Sequence, residues 1–233
     1  MDPGLKGIGD EGNPVYMVCH RDIGAVVSDS PIIKYPVTRA NTMAHQKVME
    51  TFMKEHTLLP VRFGTIGEGV DQIREKVLAA RYDEILSLLR HMSDKIELGL
   101  KVLWNDREAI FRELLEENRD IRQLRDRMLS KKTAGQQSQV RLGEMVKKAL
   151  DQKRERKEKD ILEGLQNHWV EHRRNKVFGD QMITNSAFLV LKEQEKTFDD
   201  AVETLARQED GRMTFRYVGP VPPANFVEIA VKW

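Results

Sequence analysis

The spacing of apolar and polar positions changes several times along this chain, and each change marks an element. The strictest pattern is at 96–104, where Ile96, Leu98, Leu100, Val102 and Trp104 alternate with Glu97, Gly99, Lys101 and Leu103. A period of two predicts a strand with these apolar side chains on one sheet face. Upstream the period is helical. Ala44, Val48 and Phe52 recur at i, i+4 and i+8, widened by Met49 and Met53, and Thr38 reads as the N-cap of a helix to about Glu55. Ile73, Val77, Ile85 and Leu89 predict a second helix over 70–91. Between them, TLLPVRFGTIGEG is apolar but carries Pro60, which implies an edge strand or an extended loop. VYMV at 15–18 and GAVVS at 24–28 read as short strands; a lone hairpin is marginal and has to pack on the helices that follow.

From Arg107 to about Lys176 nothing alternates like a strand. Leu114, Ile121, Leu124 and Met128 mark one helical stripe, and Val146, Leu150, Ile161, Leu165 and Trp169 another. The small, polar SKKTAGQQSQ between them predicts a helix–loop–helix arm. Lys153 to Asp160 is wholly charged and is expected to face solvent. The strand pattern then resumes. AFLVL at 187–191 predicts a strand, with further strand residues expected around 178–184. Phe198, Val202 and Leu205 predict a short helix closed by Asp210 and Gly211. MTFRYV at 213–218 predicts another strand, stopped by Gly219 to Pro223, and Phe226 to Val231 a last one. The break at Ser93–Lys95 places a boundary between domains 1–93 and 94–233, the second carrying a helical extension over 106–176. The class is α+β, and the order after residue 96 comes close to the β-α-β-β-α-β of a ferredoxin-like sheet.

Composition narrows the function. Acids and bases nearly cancel, 37 against 38, so no net field draws nucleic acid or an anionic membrane. No apolar run approaches the ~20 residues of a membrane helix, and no basic-then-apolar signal segment opens the sequence. Cys19 is the only cysteine, which rules out an intrachain disulfide, fits a reducing cytoplasm and reads as a small buried hydrophobe.

Candidate chemistry is sparse. The chain has no P-loop, no GxSxG elbow and no HExxH. Gly64, Gly67 and Gly69 read as a turn. His168 and His172, four apart beside Glu171, have the spacing of a metal pair on one helical face, but the charged surroundings read as solvated helix. KRERKEKD at 153–160 mixes signs and so supports the helix rather than nucleic-acid binding. No catalytic residue, cofactor or metal is expected. Arg62 stands out inside the apolar run LLPVRFG. It is expected to be mostly buried against a carboxylate or carbonyl, or to contact a partner protein. These features point to a protein that binds other proteins.

Several strings then converge. TLLPVRFGT at 57–65 resembles the signature of the gas vesicle protein L/F family (GvpL/GvpF), and so does KIELGLKVLW at 95–104. NSAFLV at 185–190 and GPVPPANFV at 219–227 are similar to its carboxy-terminal pattern, and His45, Val48 and Glu50 to its helix before LPVRFG. The resemblance covers essentially the whole chain in order. Family members usually begin with a YxYGI-like strand, whereas this chain starts near GLKGI at 4–8, shortened or divergent, so its first sheet is expected to lack an edge strand. Val221 and Ala224 stand where the family's GPWPPYSF-like ending carries aromatics.

The resemblance implies a non-enzymatic accessory or minor component of gas vesicles, located at the vesicle and in the cytoplasm. Its partners would be the small hydrophobic shell protein (GvpA-type) and other accessory proteins, with no nucleic acid, membrane or small-molecule substrate. The implied fold is two α/β domains, the second modified ferredoxin-like with a helical extension. The motif residues that become candidate contacts are Leu59, Pro60, Arg62, Phe63, Gly64, Glu97, Lys101, Gly219, Pro220, Pro222, Pro223 and Phe226. Two other readings stay open: a small-molecule enzyme or sensor on a ferredoxin-like scaffold, and a nucleic-acid adaptor.

Overall fold

The structure, a computed structural model, describes residues 4–9, 12–130, 135–209 and 211–231. Val15–His20 (β1) and Ile23–Ser28 (β2) form the expected antiparallel hairpin, with Val15 opposite Ser28 and His20 opposite Ile23. Its tip holds Arg21 at a left-handed φ of 54°, which a side chain disfavours. The tip is pinned from outside: the Arg21 guanidinium lies 4.8 Å from the Tyr82 ring centroid, and the Tyr82 hydroxyl donates to Asp22. Cys19 is exposed on β1, not buried as expected, because the hairpin turns only every second side chain inward.

Two compact units divide the chain. One comprises Met1–Glu97 with Pro220–Trp233, the other Leu98–Gly219. The expected division lay at residue 93 and gave the whole carboxy-terminal part to the second domain; by contact, residues 220–233 belong with the first.

In the first unit, α1 (Arg39–Met53) is capped as expected, the Thr38 side chain accepting from the Asn41 N–H. The single helix expected over 70–91 is instead three pieces. A short α2 (Val70–Gln72) runs into a π-helical segment, Ile73–Ala79, and α3 (Tyr82–Met92) follows. The Ala80 N–H reaches back five residues to the Glu75 carbonyl. Val77 and Leu78 of this segment both enter the core. Val18, Ile23 and Ile85 complete that core, with Leu59 packed against it.

In the second unit, β3 (Lys95–Trp104) carries the alternation as expected: Leu98, Leu100 and Val102 are 0% exposed. Asp106 caps α4 (Arg107–Glu117), accepting from the Glu108 and Ala109 N–H groups at 2.8 and 3.0 Å. Extended backbone at Asn118 separates α4 from α5 (Arg119–Ser130). The arm therefore has three helices, not two. The expected loop lies partly outside the described residues, and α6 (Gln136–Leu165) already occupies its second half.

A short strand, β4 (Glu171–Arg174), follows where no strand was expected. Helix α6 ends before His168, and His172 is a strand residue, so the two histidines do not share a helical face. Then come β5 (Met182–Leu191), α7 (Glu195–Gln208) and β6 (Met213–Val221). Asp210 of the expected helix stop lies outside the described residues. β6 runs through Gly219 and Pro220 rather than stopping there, and the last strand expected over 226–231 is reduced to one bridge at Ile229.

The sheet order is β4-β5-β3-β6. Trp104 donates to Gln181, just before β5, and Asn105 to Arg212, just before β6. The end of β3 thus meets both starts, which sets it antiparallel to both. α6 and α7 come close at Gly164, where a Cβ would lie 2.9 Å from Leu205 Cδ2.

The charged stretch 153–160 was expected in solvent, but much of it faces inward. Lys153 Nζ lies 2.9 Å from Glu113 and 2.5 Å from Glu117. The Arg154 guanidinium donates to the Met182 carbonyl at 2.9 Å, and Lys157 pairs with Glu209. Glu158 is 3% exposed and accepts from Arg174 Nε and Thr184 Oγ1, both at 2.9 Å. No apolar stripe is needed there because β4 and β5 present donors. Glu158→Ala is expected to destabilise the protein by about 1–3 kcal/mol in urea unfolding, since it removes the acceptor shared by Arg174 and the buried Thr184 hydroxyl. Lys159→Ala, one residue on, should shift stability by no more than about 0.5 kcal/mol.

Candidate interaction surface

In the first unit the segment 57–65 is an extended loop held at several points. Leu59 packs on the core, and Pro60 is buried. The Pro60 carbonyl accepts from the Ile229 N–H at 3.0 Å, and Val61 bridges Ile229 in parallel. Phe63 meets the His45 ring of α1 edge-on, centroids 5.8 Å apart. Burial holds the His45 pKa below its ordinary value, while a hydrogen bond with the Val61 backbone opposes that shift. Gly64 takes a φ of 78°, closing a turn in which the Thr65 N–H and hydroxyl bond the Arg62 carbonyl at 3.2 and 2.7 Å.

With its neighbours fixed, the Arg62 side chain is exposed and makes no ion pair among the described residues. The burial expected from its apolar neighbours fails because the segment is a surface loop: Leu59 and Pro60 point in and Arg62 points out.

The second anchor is Glu97. It is 3% exposed and accepts from the Asn225 backbone N–H at 2.9 Å and from the Asn225 side-chain amide. Pro222 and Pro223 are buried in the same turn, Phe226 is half-buried, and the Phe226 and Val227 N–H groups donate to the Pro223 carbonyl. Burial raises the Glu97 pKa above its ordinary value, and the two Asn225 bonds partly offset the rise. Alternation alone placed Glu97 on a polar face; its partner lies 128 residues away and leaves no local signal.

The structure therefore joins Leu59, Pro60, Arg62, Phe63, Gly64, Glu97, Pro222, Pro223 and Phe226 to one unit. Pro220 belongs to that unit and is exposed. Lys101 and Gly219 fall in the second unit, and both are exposed.

Residues that the motifs did not single out are apolar and bare. Ile32, Ile33 and Val37, just before α1, are 69%, 56% and 78% exposed, and Met43 on α1 is 57% exposed. No α1 residue is fully buried, so its apolar face at Ala44, Val48 and Phe52 is only half covered. Among the described residues no cluster of three or more His, Cys, Asp or Glu is arranged to hold a metal.

The two anchored titrating groups oppose each other with pH. Glu97, raised in the fold, ionises first in the unfolded chain. Its contribution is therefore greatest at and below about pH 4.5 and falls as pH rises toward the folded pKa. His45, lowered in the fold, contributes above about pH 6.5 and loses that contribution as pH falls through the interval below it. Glu97→Gln should remove the first slope and leave the second, read as thermal midpoint against pH.

The family described as gas vesicle synthesis protein GvpL/GvpF matches residues 2–228. The chain is 31% identical to gas vesicle protein F of a Streptomyces species over 224 residues, covering 96% of this chain and 92% of that one. It is 27% identical to gas vesicle protein L1 of Halobacterium salinarum, covering 95% and 84%. The crystal structure of GvpF from Anabaena sp. superposes with a TM-score of 0.85 at 24% identity over 99% of this chain and 95% of that one. That of GvpF from Microcystis aeruginosa gives 0.79 at 25%, covering 97% and 93%.

Proposed function

This chain belongs to the GvpL/GvpF family of gas vesicle synthesis proteins, and from that premise we propose that it binds the hydrophobic, GvpA-type shell subunit through its first unit while the vesicle is built. The observation that carries this is the bare apolar set Ile32, Ile33, Val37 and Met43 beside a helix whose own apolar face is half covered. A subunit destined for a gas-facing wall exposes apolar surface before it polymerises. Covering such surface is worth roughly 25 cal/mol per Å² removed from water. Arg62, on a loop fixed at Pro60 and Phe63, adds a charge that can select one orientation of the partner.

We read the two compact units as two domains. The second is a modified ferredoxin-like domain: its order β-α-β-β-α-β and the sheet order β4-β5-β3-β6 support this, with α4 to α6 as the helical extension. The role is one of binding at the vesicle, alongside other accessory proteins, and calls for no catalysis. Glu97 and His45 have perturbed pKa values, yet each is engaged in holding a loop, so neither favours the enzyme reading.

Retention of purified shell subunit on the immobilised protein tests this. Ile33→Glu and Val37→Glu are each expected to lower retention about tenfold, the effect of some 1.4 kcal/mol. Val140→Glu, at an exposed apolar position of the second unit, should leave it unchanged. Retention unaffected by both first-unit variants, or absent with the wild type, defeats the proposal.

A further inference from the structure

In the second unit, α5 and the start of α6 pack against each other but enclose almost nothing. In α5 the buried residue is Ile121, and in the first half of α6 it is Ala149. From Arg122 to Ser130 and from Gly135 to Lys148 no residue is buried. Leu124 and Met128 of α5 are half-buried, and so are Leu142, Met145 and Val146 of α6. Spacings of three and four put each set on one helical face. Two helices in contact cover only part of such a face. In a helical bundle a third helix laid along the seam covers the rest.

The charge around this face is one-sided. Segment 119–150 carries nine bases against three acids, although the whole chain is only +1. Two of the acids are answered locally. Asp126 is held by Arg125 at 2.7 Å, and Glu144 shares the outward side of α6 with Lys147 and Lys148. That leaves Asp120 against Arg119, Arg122, Arg127 and Arg141. These four arginines are exposed, and none makes an ion pair among the described residues. Arg127 lies three residues after Leu124, and Arg141 four before Met145, so both stand at the rim of the open face.

We propose that the open face of α5 and α6 is a docking site for an acidic amphipathic helix of a partner protein. The apolar stripe of that helix covers Leu124, Met128, Leu142, Met145 and Val146, and its carboxylates sit against Arg127 and Arg141 at the rim. The two methionines suit such a contact, since an unbranched thioether adapts to the helix it meets. A second copy of this chain fits less well, because its own arm would set a basic rim against a basic rim. Nucleic acid also fits less well: no aromatic side chain lies between Arg119 and Leu150 to stack on a base. The site belongs to a different unit from the surface assigned to the shell subunit.

A blocked synthetic helix with Leu along one face and Glu on its flanks, added to the full chain, tests the assignment through the methionine methyl resonances. It is expected to shift Met128 and Met145 and to leave Met17 of β1 in place. Arg127→Glu and Arg141→Glu, both at exposed sites, should each weaken binding roughly tenfold. A proline at the centre of the peptide should abolish it. An equal shift with Lys in place of Glu, no shift with the Glu peptide, or a larger shift with single-stranded DNA or anionic phospholipid vesicles would each overturn the proposal. So would a shift of the same two methyls that grows with the concentration of the chain alone. None of these outcomes bears on shell-subunit retention.

Discussion

The second unit depends on one buried carboxylate. Glu158 sits on α6 among Arg174, Thr184 and Ser186, and Thr184 hands the network on to Ser186 at 2.8 Å and so to His172 at 3.0 Å. Removing a carboxylate from water costs several kcal/mol unless its lone pairs are filled. Here they are filled by groups from β4 and β5 together. The same residue thus fixes the rotation of a 30-residue helix and the position of a four-residue strand. A strand that short has little pairing of its own, with one neighbour only. Its register is set as much by the Arg174–Glu158 ion pair as by its ladder with β5. The partly exposed Arg174 carries its charge at the rim, while the carboxylate is sunk.

The first unit uses the same device for a different purpose. Glu97 receives both donors of Asn225, which ties the turn at 222–226 to a residue far back in the chain. The Pro60 carbonyl and the Ile229 N–H then tie the loop at 57–65 to the tail. Neither contact is strong alone: a net hydrogen bond contributes about 1 kcal/mol. Together they give an irregular loop the fixed geometry that regular elements have by their ladders. The backbone at Arg62 is already held by such a loop, so only the side chain is left to order when a partner binds it, and this is where preorganisation improves affinity.

The sequence was legible where periodicity and local chemistry decide structure. β3 follows from strict alternation, and α1 from its spacing and the Thr38 cap. It was illegible where a distant group decides. Nothing near Lys153–Asp160 says that Met182, Thr184 and Glu209 supply partners, so a charge run that looks solvated proves half sunk. The π-helical turn at Ile73–Ala79 left no mark in the spacing of Ile73, Val77, Ile85 and Leu89, which reads as one uniform helix. Arg62 fails the opposite way: apolar neighbours suggested burial, but one side of a loop can be anchored while the other is bare. Asn225 and Ile229 lie in carboxy-terminal segments that the sequence picks out, but nothing near Glu97 or Pro60 says that these two are their partners.

The apolar set of the first unit and the open edge of β4 are both surfaces that a chain has to keep from pairing at random. Apolar residues such as Ile33 and Val37 bind without direction, so a bare set of them is a liability unless its partner is abundant. An edge strand binds only extended backbone, and charge on it discourages pairing with its own kind. At β4 the charges are met within the unit, Arg173 by Glu171 and Arg174 by Glu158. At the first unit the proposed binding draws affinity from apolar area and orientation from the charge of Arg62.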